Sequence, residues 1–283
     1  MSYYKIGWFS TGRDKAAREL LRVVSDSIKE DRLPSLHIGF VFSNRAKGEA
    51  RESDLFFKLV EKLGIDLVSF SSRNFRPEMR RKALVQEKRG KPKLISHWRS
   101  LYDEEVIKRI DKFEIDLIVL AGYMLIVGEK LCRKYPMINL HPAAPGGPRG
   151  TWQEVIWKLI EKNERQTGVM MHLVTPELDA GPPLTYCTFP IKGGKFDFLW
   201  EKLEEKLKRK PLETIKREEG ENEPLFKEIR KEGVRRELPL IVHTLKALSN
   251  KKIELRGKKL MRGGKIIEGY CLNEEINCET DMH

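Results

Sequence analysis

The sequence predicts an α/β fold, an open and mostly parallel sheet flanked by helices. Three observations carry that prediction. Short apolar runs alternate with stretches whose apolar residues recur at helical spacing, in the order strand, helix, strand, helix. The run Ile115–Ala121 is apolar without a break from Leu117 onward, as in a parallel strand buried on both faces. Ser10, Gly122 and Asn139 stand at or just past the C-terminal ends of such runs, where open sheets of this kind bind ligands.

Each element follows from local pattern. Lys5–Ser10 is a first strand, broken by Thr11-Gly12-Arg13-Asp14. Ala16, Leu20, Val23, Val24 and Ile28 then recur at helical spacing. Leu36–Ser43 reads as a second strand, followed by a helix at about 49–63 and a strand at about 65–70. Arg99–Phe113 reads as a helix leading into the strand Ile115–Ala121. The run Ile138-Asn139-Leu140-His141 is a strand stopped by Pro142, which has no backbone donor. Val169–Thr175 is a later strand, with Asp179 in the turn beyond it.

Two charged segments interrupt this alternation. Residues 71–98 are strongly basic, with Arg73, Arg76, Arg80, Arg81, Lys82, Lys88, Arg89, Lys91 and Lys93. Residues 201–237 are Lys/Glu-rich and helical, broken at Pro211, Gly220 and Pro224. Such runs form solvated helix faces or mobile loops, or else an anion-binding surface. The tail after Leu248 alternates around Gly257 and Gly263-Gly264 and reads as a small β-hairpin. The expected organisation is a core over 1–195, with a helical insertion at about 71–98, and a helical extension with the terminal hairpin packed on the core over 196–283.

Composition narrows the function. The 283 residues carry 54 basic and 42 acidic side chains, a formal charge of +12. That excess favours anionic ligands such as phosphate esters or nucleic acid, or else reflects the charged surface of a heat-adapted protein. Cys132, Cys187, Cys271 and Cys278 show neither a CxxC pair nor zinc-ligand spacing, as expected of reduced thiols in a cytoplasmic protein. The N-terminus opens on a strand rather than a signal peptide. The longest apolar run, Leu117 to Val127, is too short to span a bilayer.

Asn139 and His141 are two residues apart on a terminating strand, so both side chains fall on one face. Histidine is a general acid or base near neutral pH, and an asparagine amide can donate to a developing oxyanion. Asp179 would orient the imidazole and favour its charged form if it reached it. By itself N-x-H also describes a capped strand end, and LDAGP an ordinary turn.

The joint pattern is more specific. MINLHPA, then Arg149-Gly150, then GVMMHLVTPELDAGP resembles the folate-dependent formyltransferase family. KIGWFSTGRD, VFSNRAKG and IDLIVLAGYM agree with it, over about residues 4–192 with an insertion at 71–98. The resemblance implies a Rossmann-like formyltransferase fold. It also implies transfer of a formyl group from 10-formyltetrahydrofolate, as donor co-substrate, to an amine, with glycinamide ribonucleotide of purine synthesis the acceptor it points to. The alternatives are hydrolysis of formyltetrahydrofolate, or formylation of a nucleotide-linked amino sugar or an aminoacylated tRNA. Asn139, His141 and Asp179 are the implied catalytic trio. Gly12, Arg13 and Asp14 stand where the family has its substrate phosphate turn, normally Gly-Ser-Asn; the same residues also read as a helix N-terminus capped by Asp14. Arg99 stands at a folate-contacting arginine, and Met124, Leu125, Ile126 and Val127 at the pterin-pocket loop, where the family has Arg in place of Leu125. His172 matches a histidine behind the catalytic one, or is a satisfied core imidazole. The implied partners are folate, a phosphorylated amine and a second copy of the chain as a homodimer, without nucleic acid, membrane or metal. The loop Ala143–Gly150 departs from the family's Ser-Leu-Leu-Pro, and Glu232 or Glu237 stands in for a substrate-binding acidic residue.

Overall fold

The structure is a computed structural model that describes residues 3–280. The fold is α/β, with a mostly parallel sheet, flanking helices and a small antiparallel C-terminal sheet. The chain forms two compact units. One holds the residues up to Asn139 with Leu173–Pro182 and Leu245–Ile267; the other holds Leu140–His172, Pro183–Thr244 and the chain from Glu268.

The first unit begins with β1 (Tyr4–Phe9), α1 (Lys15–Lys29), β2 (Leu36–Ser43), α2 (Arg51–Lys62) and β3 (Leu67–Ser69). It continues with α3 (Pro77–Lys88), α4 (Lys93–Ile110), β4 (Leu117–Leu120), α5 (Glu129–Lys134) and β5 (Met137–His141), whose last two residues pass into the second unit. The strand order is β5-β4-β1-β2-β3, and every pairing is parallel. All four residues of β4 are buried, which is why its sequence shows no alternation. Asp14 caps α1 by accepting the Ala17 N–H at 3.0 Å, and Ala17, Leu20, Leu21 and Val24 line its buried face.

The basic segment 71–98 is anchored rather than loose. It folds into α3 and the first turns of α4, which bury Ala83, Ile95 and Trp98 in the core with Phe9, Phe40 and Phe42. Trp98 stacks on Tyr102 with ring centroids 5.2 Å apart, and Tyr102 stacks on Phe70 at 5.1 Å. One apolar face is enough to hold the segment, and its arginines and lysines other than Arg80 are exposed.

In the second unit, α6 (Trp152–Glu161) opens on a capping box between Thr151 and Glu154. Strands β6 (Gln166–Leu173) and β7 (Pro183–Pro190) pair antiparallel. The charged segment becomes α7 (Lys195–Leu207), α8 (Leu212–Glu218) and α9 (Pro224–Ser249). The breaks fall at Pro211 and Pro224, as the sequence indicates, but α9 runs on through Pro239 to Ser249. The side chains of Ala143, Val155, Trp200, Leu225 and Phe226 build this unit's core. The expected hairpin gains a strand: β8 (Glu254–Arg256), β9 (Lys259–Arg262) and β10 (Lys265–Ile266) are antiparallel. The second turn is Gly263-Gly264, with φ of 55° and 79°, the backbone that two-residue hairpin turns favour. β11 (Tyr270–Cys271) adds to β7 in parallel before α10 (Asn273–Thr280). No helix among the described residues is long and apolar enough to cross a membrane.

Candidate active site

β5 delivers two of the three residues singled out by sequence. Asn139 lies opposite Leu120 of β4 and is half-buried; His141, two residues on, is 2% exposed. The intervening Leu140 points away by strand alternation, so Asn139 and His141 share a face. The His141 ring meets both Pro148 and His172. Its Nε2 lies 3.0 Å from the Pro148 carbonyl oxygen, which can only accept, so Nε2 carries the proton. Its edge meets the buried His172 ring at right angles, with centroids 5.8 Å apart. His172 therefore packs directly beside the histidine that the sequence put forward.

The turn after β6 is more constrained than LDAGP alone suggests. Its two ends meet where the Leu173 N–H donates to the Pro182 carbonyl at 2.9 Å. Val174 N–H donates to Met137 O of β5 at 2.8 Å, which ties the turn to the start of that strand. A Cβ on Gly181 would stand 1.7 Å from the Leu173 carbonyl oxygen, so only glycine fits. Asp179 has φ of 49°, in the left-handed region uncommon for residues with a Cβ. It is half-buried.

The turn after β1 is organised by residues that sequence reasoning passed over. Thr11 is 1% exposed. Its hydroxyl donates to Asn44 Oδ1 at 2.9 Å and accepts the Met124 N–H at 2.8 Å. Asn44 in turn donates through Nδ2 to Ser72 Oγ at 3.3 Å. One chain of hydrogen bonds thus joins the segments that follow β1, β2, β3 and β4. The signal was present in STGRD and FSNRA: small polar residues directly after apolar strands. The pairings themselves are long-range and cannot be read from sequence.

Within this frame the predicted phosphate turn is also a helix start. Gly12 has φ of 62°, and its missing Cβ would collide with Phe56 Cβ at 2.7 Å. Gly12 N–H donates to Ser10 Oγ at 3.2 Å, and the Asp14 carboxylate caps α1. Arg13, nearly half exposed, lies 3.6 Å from Asp14 and carries the turn's positive charge.

The loop predicted for the pterin divides. Met124 is 46% exposed with its backbone fixed by Thr11, whereas Val127 belongs to the core, Leu125 packs against that core and Ile126 is half-buried. Arg99 is mostly buried. It bonds Glu87 of α3 at 3.0 Å, and its Nε is buried without a hydrogen-bond partner. Its carboxylate partner is thus supplied by the inserted helix. Both acidic candidates are held by cations: Glu232 by Lys195 and Arg236, Glu237 by Arg230. The two cations on Glu232 outweigh its burial and hold its carboxyl below the usual range. In the first unit, burial pushes the Asp103 carboxyl up to about 6, although it accepts the Gly128 and Leu131 N–H groups at the start of α5.

Known proteins resemble this chain along most of its length. The formyl transferase family profile matches residues 23–210. The phosphoribosylglycinamide formyltransferase of Escherichia coli (strain K12) is 32% identical over 98 residues, which cover 34% of this chain and 45% of the relative. The chain spans about half the length of the curated relatives it matches. Among solved structures, the phosphoribosylglycinamide formyltransferase of Coxiella burnetii aligns with a TM-score of 0.64 and 19% identity, over 95% of this chain and 99% of that one. A formyltetrahydrofolate deformylase from Pseudomonas syringae pv. tomato str. DC3000 aligns at 0.59 and 19% identity, over 93% of this chain and 66% of its own. At these identities the two structures share the fold.

Proposed function

Because the chain belongs to the formyl transferase family, we propose that it transfers a formyl group from 10-formyltetrahydrofolate to an amine, with glycinamide ribonucleotide the acceptor its relatives suggest. The observation that carries this reading is the end of β5, where Asn139 and the buried His141 share a face inside the family match. By this reading residues 1–195 are the catalytic core and 196–283 a helical extension with the terminal hairpin. The partners are folate and a phosphorylated amine.

The reaction needs three things of these side chains. The amine lone pair attacks the formyl carbon and the carbonyl electrons move onto oxygen. Protonated His141 and the Asn139 amide stabilise that oxyanion, the developing charge that such sites are built to meet. The carboxylate of Asp179 keeps His141 charged and takes up the proton that the attacking nitrogen loses. When the tetrahedral species collapses, the carbonyl re-forms, the bond from carbon to N10 breaks and N10 takes the proton that Asp179 had accepted from the amine. The exposed Met124 and half-buried Ile126 offer an apolar wall for a pterin ring. Arg13 offers charge for the acceptor's phosphate.

A second reading is hydrolysis, with water in place of the amine. The deformylase alignment over 93% of this chain and the altered loop Ala143–Gly150 beside His141 favour keeping it in view. One assay separates the two. Tetrahydrofolate release from 10-formyltetrahydrofolate is followed with and without glycinamide ribonucleotide, in the wild type and in His141→Ala. Formyl transfer predicts release that depends on the amine and falls by about a thousandfold in the variant, which stays folded at the assay temperature. Equal release without the amine identifies the hydrolase, and full turnover by His141→Ala would falsify both.

A further inference from the structure

Three arginines crowd the segments after β2 and β3. Arg45 follows β2, Arg73 follows β3, and Arg80 lies in the first turns of α3. Backbone pairing sets the first two side by side: Phe70 N–H donates to Ser43 O at 3.0 Å and Ser72 N–H to Asn44 O at 3.1 Å. The Asn44–Ser72 side-chain bond fastens the same pair of segments, and Asn44 also accepts from Thr11 of the first turn. Arg76 at the head of α3 is held at φ of 44° with Pro77 behind it, which fixes how that helix departs.

The charges here do not balance. Arg45 is only 17% exposed and lies 3.7 Å from Glu49, too far for a hydrogen bond; its Nη1 and the Glu49 Oε2 are both buried without one. The other Glu49 oxygen accepts from Asn74. Arg80 has a buried, unpartnered Nε and lies 5.5 Å over the Trp98 ring. Arg73 is exposed beside them. Burial, and then the neighbouring Arg73, hold the guanidinium of Arg45 below its ordinary range, and the same two causes act on Arg80. Partly desolvated like charges with unused donors are costly unless an anion completes them. The cluster sits at the C-terminal ends of adjacent parallel strands, where this sheet class takes its ligands.

We propose that Arg45, Arg73 and Arg80 form a second phosphate subsite beside the first turn, so that an acceptor amine carrying a second phosphate binds more tightly than glycinamide ribonucleotide. This deepens the formyl-transfer reading, since it names the acceptor class of that site. Glycinamide ribonucleotide, with a single phosphate, leaves the subsite unfilled. Two of the three arginines come from the basic insertion, which gives that segment a role beyond covering the core.

The test is calorimetric titration of the full chain at low salt with pyrophosphate and with orthophosphate, alongside Arg73→Gln, Arg80→Gln and the exposed control Arg81→Gln. Wild type should bind pyrophosphate about tenfold or more tightly than orthophosphate. Arg73→Gln and Arg80→Gln should each weaken pyrophosphate by about tenfold, with Arg81→Gln unchanged. Because Arg73 is exposed, its variant carries the test even if Arg80→Gln loosens α3 through Trp98. Absent or unselective binding by wild type, or an equal loss in Arg81→Gln, overturns the proposal. Failure of the formyl-transfer reading looks different: no acceptor then releases tetrahydrofolate, while the titrations stand unaltered.

Discussion

Asp103 shows how one buried carboxylate ties stability to pH. Its side chain accepts N–H groups from Gly128 and Leu131, which favours the charged form, but burial outweighs them and lifts the pKa from 3.8 to about 6. A raised folded pKa means that the native state holds the proton more tightly than the unfolded chain. The stabilisation is full below about pH 4 and is lost as pH rises through about 6. The shift corresponds to roughly 3 kcal/mol. Urea unfolding at pH 4, 5, 6 and 7 should show this component in the wild type and its disappearance in Asp103→Asn. The comparison is of slopes, since the amide also changes the bonds to α5; parallel slopes would refute the assignment. Legibility at this scale was uneven. Asn139 and His141 stood out because an apolar run ends on them against a proline. Thr11, Asn44 and Ser72 did not, because what makes them matter is which partner each meets across neighbouring strands. The Arg99–Glu87 bond was not legible either, because Glu87 lies on a helix whose packing no periodicity revealed.

Among the elements, the turn Val174–Pro182 has little freedom. Leu173 and Pro182 are bonded across its mouth, and the Gly181 Cα passes against the Leu173 carbonyl with no room for a methyl group. Gly181→Ala forces backbone apart and should destabilise the protein by about 1–3 kcal/mol. Because Asp179 lies two residues away, the same change should lower turnover; a variant with wild-type melting and wild-type rate would show that the turn gives way harmlessly. Strands and helices with a full period were readable from the sequence. Others were not. β11 has two residues, too few for any alternation. The passage of α9 through Pro239 contradicts the local rule against proline in a helix, and buried Leu240, Ile241, Leu245 and Leu248 beyond it supply the packing that overrides that rule.

For the molecule as a whole, alternation made the fold class legible and the basic excess pointed to anionic ligands, while the loops around the candidate site were the parts with no period to read. The bond from His141 Nε2 to the Pro148 carbonyl belongs to this scale, because under the proposed function it would set the loop against the substrate. If the proposed oxyanion is met by Nε2, the N–H that Pro148 holds must be freed first, and molecules with the loop lifted are then the competent ones. The measured affinity is then the intrinsic affinity scaled by the fraction open. Shortening the loop by deleting Gly146 and Gly147 should therefore lower KM for the acceptor and leave the chemical step intact, read in single-turnover experiments; an unchanged KM would mean that the loop opens at no cost. Under the proposed function, the Nε2 proton of His141 is thus what substrate and protein would contend for.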